Sequence, residues 1–157
     1  MSQLLISPTK QPKGRIVLPA SKSISNRALL INALAGSKIL PDNLSDSDDT
    51  RVMLCALQEM PETIDIGAAG TAMRFMTAYL SVTPGEHVIT GTERMRHRPI
   101  AILVDALRQL GANIAYEAEE GFPPLRIIGN EKLNGGELTV PGDVSSQYIS
   151  ALLMIAP

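Results

Sequence analysis

GRIVLPASKSISNRALLINALA, residues 14–35, has an echo in GGELTVPGDVSSQYISALLMIA, residues 135–156. In each, glycine leads a short extended-type run, a proline ends it, a serine-rich turn follows, and an apolar run with Ala-Leu-Leu closes the segment. Extended residues stopped by proline, then a serine-capped run with helical spacing, read as strand, loop, helix. Such a unit returning late in the chain points to a repeat architecture, with the chain expected to stop inside a later copy of a longer protein. The first copy predicts a strand over Gly14–Leu18 and a helix over Ser23–Ala35. Ile24, Ala28, Ile31 and Ala35 would share the helix's apolar face, and Gly36 would close it.

Outward from these two copies, strands and helices alternate. A helix follows NLSDSDD, capped by Ser45 or Ser47, with Asp48 and Asp49 at its positive end and Pro61 stopping it after Met60. TIDI (63–66) is a short strand, GAAG (67–70) a tight turn, and Thr71–Leu80 a helix. Pro84-Gly85 turns the chain into the strand HVITG (87–91). TERMRHR (92–98) reads as an extended loop before a helix with Pro99 at its first position and Gly111 past its end. NIAYEAEEGFPPLRIIG (113–129) is a hairpin turning at Glu119–Gly121, where Pro123-Pro124 favours a sheet edge. ELTV (137–140), the turn Pro141-Gly142 and an apolar helix complete the pattern. The fold class is α/β or α+β, with 1–20 a strand region, 21–135 the first unit or units, and 136–157 the start of a further repeat.

The 157 residues are 45% hydrophobic and 19% charged, which is globular composition. Aromatic residues are only 3%, with no Trp, so the core must be aliphatic. A net charge of −2 argues against a general nucleic-acid or membrane-surface binder. Cys55 stands alone, which excludes an internal disulfide and suits a reducing compartment. With no apolar run of membrane-spanning length and no secretory pattern in MSQLLISPTKQPKGR, the chain is read as soluble and cytoplasmic.

Four helix starts carry donors or cations. In SKSISNR, free helix N–H groups and the dipole attract anions, Lys22 adds a mobile charge, Ser23 a hydroxyl, and Arg27 a fork on the same face. An ordinary capped helix with two solvated cations has the same spacing. GAAGTAMR puts Gly70 and Arg74 at the next start; it is neither a P-loop nor a dinucleotide fingerprint, and a plain helix-start turn also explains it. Arg94, Arg96 and Arg98 alternate, so an extended loop would place them on one side. A solvated basic loop is the bland reading. DVSSQY offers Ser145, Ser146 and Gln147, of which capping accounts for one serine. SDSDDT lacks the glycine and distal glutamate of a calcium loop, and His87 and His97 have no companions to complete a metal site. Repetition decides among these readings: four anion-accepting starts in an acidic chain imply a small substrate with several negative charges.

LPASKSISNRALL, GTAMR, ERMRHRPI with LVDALRQLGA, GFPPLRI and VSSQYISALLMIAP occur in this order in the 5-enolpyruvylshikimate-3-phosphate (EPSP) synthases, and from Gly14 to Pro157 the chain resembles that family. The resemblance implies a two-lobed enzyme whose lobes each hold three βαβαββ units, with this chain the first part of one. It implies transfer of the enolpyruvyl group of phosphoenolpyruvate to the 5-hydroxyl of shikimate 3-phosphate, on the way to chorismate and the aromatic amino acids, without metal or organic cofactor. Lys22 would touch both substrates. Ser23 and Arg27 would hold the shikimate part, Ser145, Ser146 and Gln147 its phosphate and ring side, and Gly70 and Arg98 the phosphoenolpyruvate, where glyphosate acts on this family.

Two departures accompany the resemblance. Ala68 stands where the family usually has Asn, and the link from Met60 to Thr63 is too short for the strand pair usual there. By the same resemblance the proton-transferring carboxylates and further cations belong to the remainder of the protein, and the first ~20 residues partly to the other lobe. The related transferase acting on a UDP-sugar is a weaker match, because its glycine and arginine motifs differ and Cys55 falls mid-helix rather than in a loop. A non-catalytic anion-binding module is the alternative of a different class.

Overall fold

The computed structural model describes residues 13–157. Most of the N-terminal stretch read above for a targeting signal, and most of the 1–20 segment, lie outside the described residues. Helix α1 (Lys22–Leu34) starts on Ser21, whose Oγ accepts the Ile24 N–H at 3.4 Å. It ends where Gly36 turns left-handed (φ 63°), letting the N–H groups of Gly36 and Ser37 return to the carbonyls of Ala33 and Asn32 at 3.0 and 3.1 Å.

The buried face of α1 is not the one its apolar spacing predicts. Ile24 and Ile31 are 70% and 54% exposed, while Ser25, Asn26, Leu29 and Leu30 are buried. The helix is apolar on more than one side, and polar pairing with the next element selects the orientation. Ser25 Oγ accepts the Ser45 N–H at 2.8 Å, and Thr50 Oγ1 donates to Asn26 Oδ1 at 2.9 Å. That element, α2 (Asp48–Glu59), begins on Ser47 with both aspartates in its first turn and ends at a left-handed Met60 before Pro61.

A complete βαβαββ unit follows: β1 (Thr63–Asp65), α3 (Gly70–Ser81), β2 (Gly85–Thr90), the single turn α4 (Glu93–Arg96) leading into α5 (Ala101–Gln109), then β3 (Asn113–Tyr116) and β4 (Leu125–Gly129). The sheet order is β1-β2-β4-β3, with β1 parallel to β2 and the other pairs antiparallel. Helix α3 packs against β2 and β4 on one side and against α1, α2 and α6 (Ser146–Ile155) on the other, so it is buried almost all round. The core is aliphatic with methionine, as composition requires, and Phe75 is its one fully enclosed aromatic ring among the described residues. Across the open sheet face, Arg126 of β4 bridges Glu86 and Glu117, each at 2.6 Å, and holds the Glu117 carboxyl below the usual range.

Several expectations are corrected. Gly14–Leu18 and Glu137–Val140 form no strand; Ile16, Val17 and Leu18 are about 80% exposed, because a strand needs a partner edge and no described residue supplies one. Pro99 does not open α5: the cap is Ile100, and proline stands before it. Pro123-Pro124 precedes β4, which is paired on both sides, so it marks the entry to a strand and not an edge. TERMRHR is not extended. Thr92 Oγ1 accepts the Met95 N–H, Glu93 suits the first turn, and Met95 anchors the turn at 1% exposure. One helical turn fans the arginines apart, and Arg96 turns back to the Gly91 carbonyl at 3.2 Å.

Candidate active site

Two helices begin at one place, and a third packs beside them. Gln147, in the first turn of α6, donates from Nε2 to Thr71 Oγ1 in the first turn of α3 at 3.1 Å. One turn deeper, Arg27 of α1 donates to Ser150 Oγ of α6 at 3.1 Å and lies 5.4 Å from the centre of the Phe75 ring of α3. The starts of α3 and α6 therefore lie side by side with their positive ends together, and the second turn of α1 reaches the second turns of both. Parallel dipoles repel, and the unpaired N–H groups of each first turn need acceptors; an anion meets both demands.

The strands deliver a fourth element to the same end. Parallel β1 and β2 lead into the glycine turn and the arginine turn, respectively. The Thr92 N–H donates to the Gly67 carbonyl at 3.0 Å, and a Cβ on Gly91 would stand 2.5 Å from that oxygen, so only glycine permits the approach. Gly70 packs against the Arg98 guanidinium: a Cβ there would come within 2.9 Å of its central carbon. Ala68, Thr92, Arg94, Met95 and Arg98 border a cleft of about 160 Å³. That suits a small anion rather than a drug-sized ligand, which takes ~300 Å³ or more.

Of the side chains named from sequence, Arg27 and Gln147 are joined to neighbouring helices and Gly70 meets Arg98. Lys22 is ion-paired to Asp49 at 3.1 Å; Asp49 was read as a helix-start residue. Ser23 is exposed at the mouth of α1, and its carbonyl accepts from Arg27 at 3.1 Å. Ser145 spends its hydroxyl as the cap of α6, accepting the Gln147 N–H at 3.2 Å, while Ser146 is exposed. Arg74 is not ligand-facing: it is 5% exposed and donates to the carbonyls of Gly70 at 3.0 Å and Pro99 at 3.3 Å. Burial pulls its guanidinium below the ordinary value, and the nearby charge of Arg98 acts in the same direction. Neither Arg27, Arg74 nor Arg98 is paired to a carboxylate among the described residues. His87 and His97 hold backbone carbonyls, of Pro61 and Glu93, each at 2.8 Å. Asp49, Thr71 and Tyr148 were missed as site residues, since their partners lie far away in sequence and no local pattern marks them.

The family model described as EPSP synthase (3-phosphoshikimate 1-carboxyvinyltransferase) matches residues 6–66 and 59–157. A 3-phosphoshikimate 1-carboxyvinyltransferase of Bacteroides fragilis is 67% identical over 153 residues, covering 98% of this chain and 37% of that protein. One from Shewanella halifaxensis is 45% identical, covering all of this chain and 43% of its own length. The structure of EPSP synthase from Acinetobacter baumannii superposes with a TM-score of 0.78 at 25% identity, covering 90% of this chain and 38% of that one. The chain therefore spans about two fifths of the length of the curated relatives it matches. The Shewanella alignment runs over 183 positions although this chain has 157, and the family match divides near Met60–Thr63. Both agree with the short link there, where Met60, Pro61 and Glu62 alone join α2 to β1. A match that runs from residue 6 to residue 157 reflects descent and not merely a shared architecture: this chain belongs to the EPSP synthase family.

Proposed function

We propose that this chain forms part of the substrate-binding machinery of a longer 3-phosphoshikimate 1-carboxyvinyltransferase, holding shikimate 3-phosphate and phosphoenolpyruvate at the meeting of its helix starts. The observation that carries the reading is the meeting of the α3 and α6 starts, with Arg27 of α1 reaching α6 and Arg98 resting on Gly70, neither arginine paired to a carboxylate among the described residues. In the reaction the 5-hydroxyl adds to C2 of phosphoenolpyruvate while C3 takes a proton; the tetrahedral adduct then expels phosphate and loses a proton from the new methyl group. Both reactants are polyanions, so bringing them together requires fixed donors that compensate charge and orient the attack.

Lys22 is the catalytic residue on this reading, its ammonium placed between the two substrates once they draw it from Asp49. Ser23 and Arg27 hold the shikimate carboxylate and hydroxyls. Ser146, with Ser145 at the cap and Gln147 oriented by Thr71, serves the phosphate and ring side. Gly70 and Arg98 line the phosphoenolpyruvate position. The chain is expected to bind without turning over. Calorimetric titration should show shikimate 3-phosphate binding, and a coupled phosphate-release assay on contamination-free chain should stay at background, while the full-length protein carrying this segment turns over. Absence of any binding of shikimate 3-phosphate by the full-length protein would overturn the proposal.

The glycine turn gives a second expected result. In the full-length protein Gly70→Ala should raise the inhibition constant for glyphosate more than the KM for phosphoenolpyruvate. The added methyl group meets the Arg98 guanidinium, the movable end of a side chain, so the protein folds and the cation shifts. Discrimination by one methyl group is ~1–3 kcal/mol, or roughly 10- to 200-fold. Ala68 in place of an amide leaves the parent pocket short of one polar contact, so the parent's own inhibition constant is the reference. An unchanged inhibition constant would remove Gly70 from the site.

A further inference from the structure

We propose that Arg74 and Tyr148 are positioning residues that clamp the glycine turn and the arginine turn from behind, and thereby set how well the phosphoenolpyruvate side of the site is formed. The inference rests on the functional reading above. Arg74 donates to the Gly70 carbonyl with Nη1 and to the Pro99 carbonyl with Nη2, at 3.0 and 3.3 Å. Tyr148, 4% exposed, donates its hydroxyl to the same Pro99 oxygen at 2.8 Å, with the guanidinium 5.8 Å from its ring centre.

Pro99 follows Arg98, and Gly70 is the residue against which the Arg98 guanidinium rests. One buried side chain therefore fixes both members of the pair that would face the ligand. Arg74 itself does not border the cleft. A buried guanidinium without a carboxylate partner is unfavourable for stability, and apolar residues of similar volume often do better. What the charge supplies here is two directed hydrogen bonds reaching two segments that are otherwise separate in sequence. Tyr148 extends the clamp to α6, since its neighbour Gln147 reaches Thr71. Both lone pairs of the Pro99 oxygen are then engaged, by a charged donor and by a hydroxyl.

The test uses the full-length protein carrying this segment, with Tyr148→Phe, Arg74→Lys and the double variant. Tyr148→Phe keeps the ring and removes only the hydroxyl, so folding is retained. The KM for phosphoenolpyruvate should rise ~3- to 10-fold in Tyr148→Phe and ~10-fold or more in Arg74→Lys, as expected for hydrogen bonds to or from charged and buried groups. The KM for shikimate 3-phosphate should stay within ~2-fold in both, and the double variant should be little worse than Arg74→Lys, because the two share one acceptor. Equal increases in both KM values, no increase in either, or fully additive effects would overturn the clamp. If the parent protein turns over neither substrate, the functional reading fails by itself, and amide exchange in the 157-residue chain judges the clamp. Tyr148→Phe should then speed exchange at the amides of Arg98 and Ile100 while leaving β2 unchanged; unchanged exchange at both amides would overturn it.

Discussion

Gly129→Ala should lower the melting temperature of this chain by roughly 6–12 °C, corresponding to ~3 kcal/mol or more. Gly129 ends β4, where the strand passes the last turn of α3 and the connection to β2. A Cβ there would enter the carbonyl groups of Leu80 and Thr83, its distance to the Thr83 carbonyl carbon being 2.8 Å. These are backbone atoms, so no rotamer change relieves the contact; β4 or the end of α3 has to move. Movement of β4 is opposed on both sides, by pairing with β2 and with β3, and the Asn130 N–H is held by the Ser81 carbonyl at 3.1 Å. Against a typical domain stability of ~5–15 kcal/mol the loss is large. Gly142→Ala is the control, because nothing stands within 4 Å of its Cβ position and its backbone is not left-handed. A Gly129→Ala protein melting within a degree or so of the parent would mean that β4 and α3 do not approach as described.

Elements with local signals were legible in the sequence. Helices α2 and α3 follow from a serine or glycine start, a helical run and a stop, and β1, β2 and the β3–β4 hairpin from alternation between turn residues. Segments whose conformation depends on a distant partner were not. Gly14–Leu18 and Glu137–Val140 have strand composition, yet composition cannot provide the neighbouring edge that turns it into a ladder. The face of α1 was misread for a related reason: Ile24 and Ile31 keep the helical period, but hydrogen bonds that Ser25 and Asn26 accept from a loop and a helix some twenty residues away fix the rotation.

The same distinction runs through the site. Gly70 and Arg98, assigned to one ligand by the resemblance, do pack against each other. Arg74 belongs to the same GTAMR motif and is buried, because the fifth residue of the helix points back under the turn once α6 covers it. The helix start of TERMRHR was available in its threonine and glutamate, a capping signal outweighed by the alternation of the arginines. The Lys22–Asp49 pair joins two helix starts whose individual readings contained no reason to meet.

Arg27→Ala should weaken binding of shikimate 3-phosphate to the full-length protein carrying this segment by ~2–5 kcal/mol, the range for truncating one partner of a partly buried charged pair. Arg27 sits one turn inside α1 with its guanidinium already oriented: Nη1 is tied to the Ser23 carbonyl, Nη2 to Ser150 Oγ, and the plane rests near the Phe75 ring. A fork held in this way loses little freedom on meeting a carboxylate, so most of its interaction energy reaches the ligand. Arg27→Lys should recover only part of the loss, since an ammonium keeps the charge but cannot donate along two parallel directions. Some of the Arg27→Ala effect will come from loosening α1 against α6. Ser150→Ala isolates that part, as it removes the Arg27–Ser150 bond and leaves the cation in place; its cost should be near ~1 kcal/mol, typical of one intramolecular hydrogen bond. Calorimetric titration of the four proteins, each first shown to be folded by its thermal transition, separates the contributions. Arginine, lysine and alanine binding alike would reduce Arg27 to a packing residue between helices. Ser150→Ala matching Arg27→Ala would assign the whole effect to orientation rather than to charge.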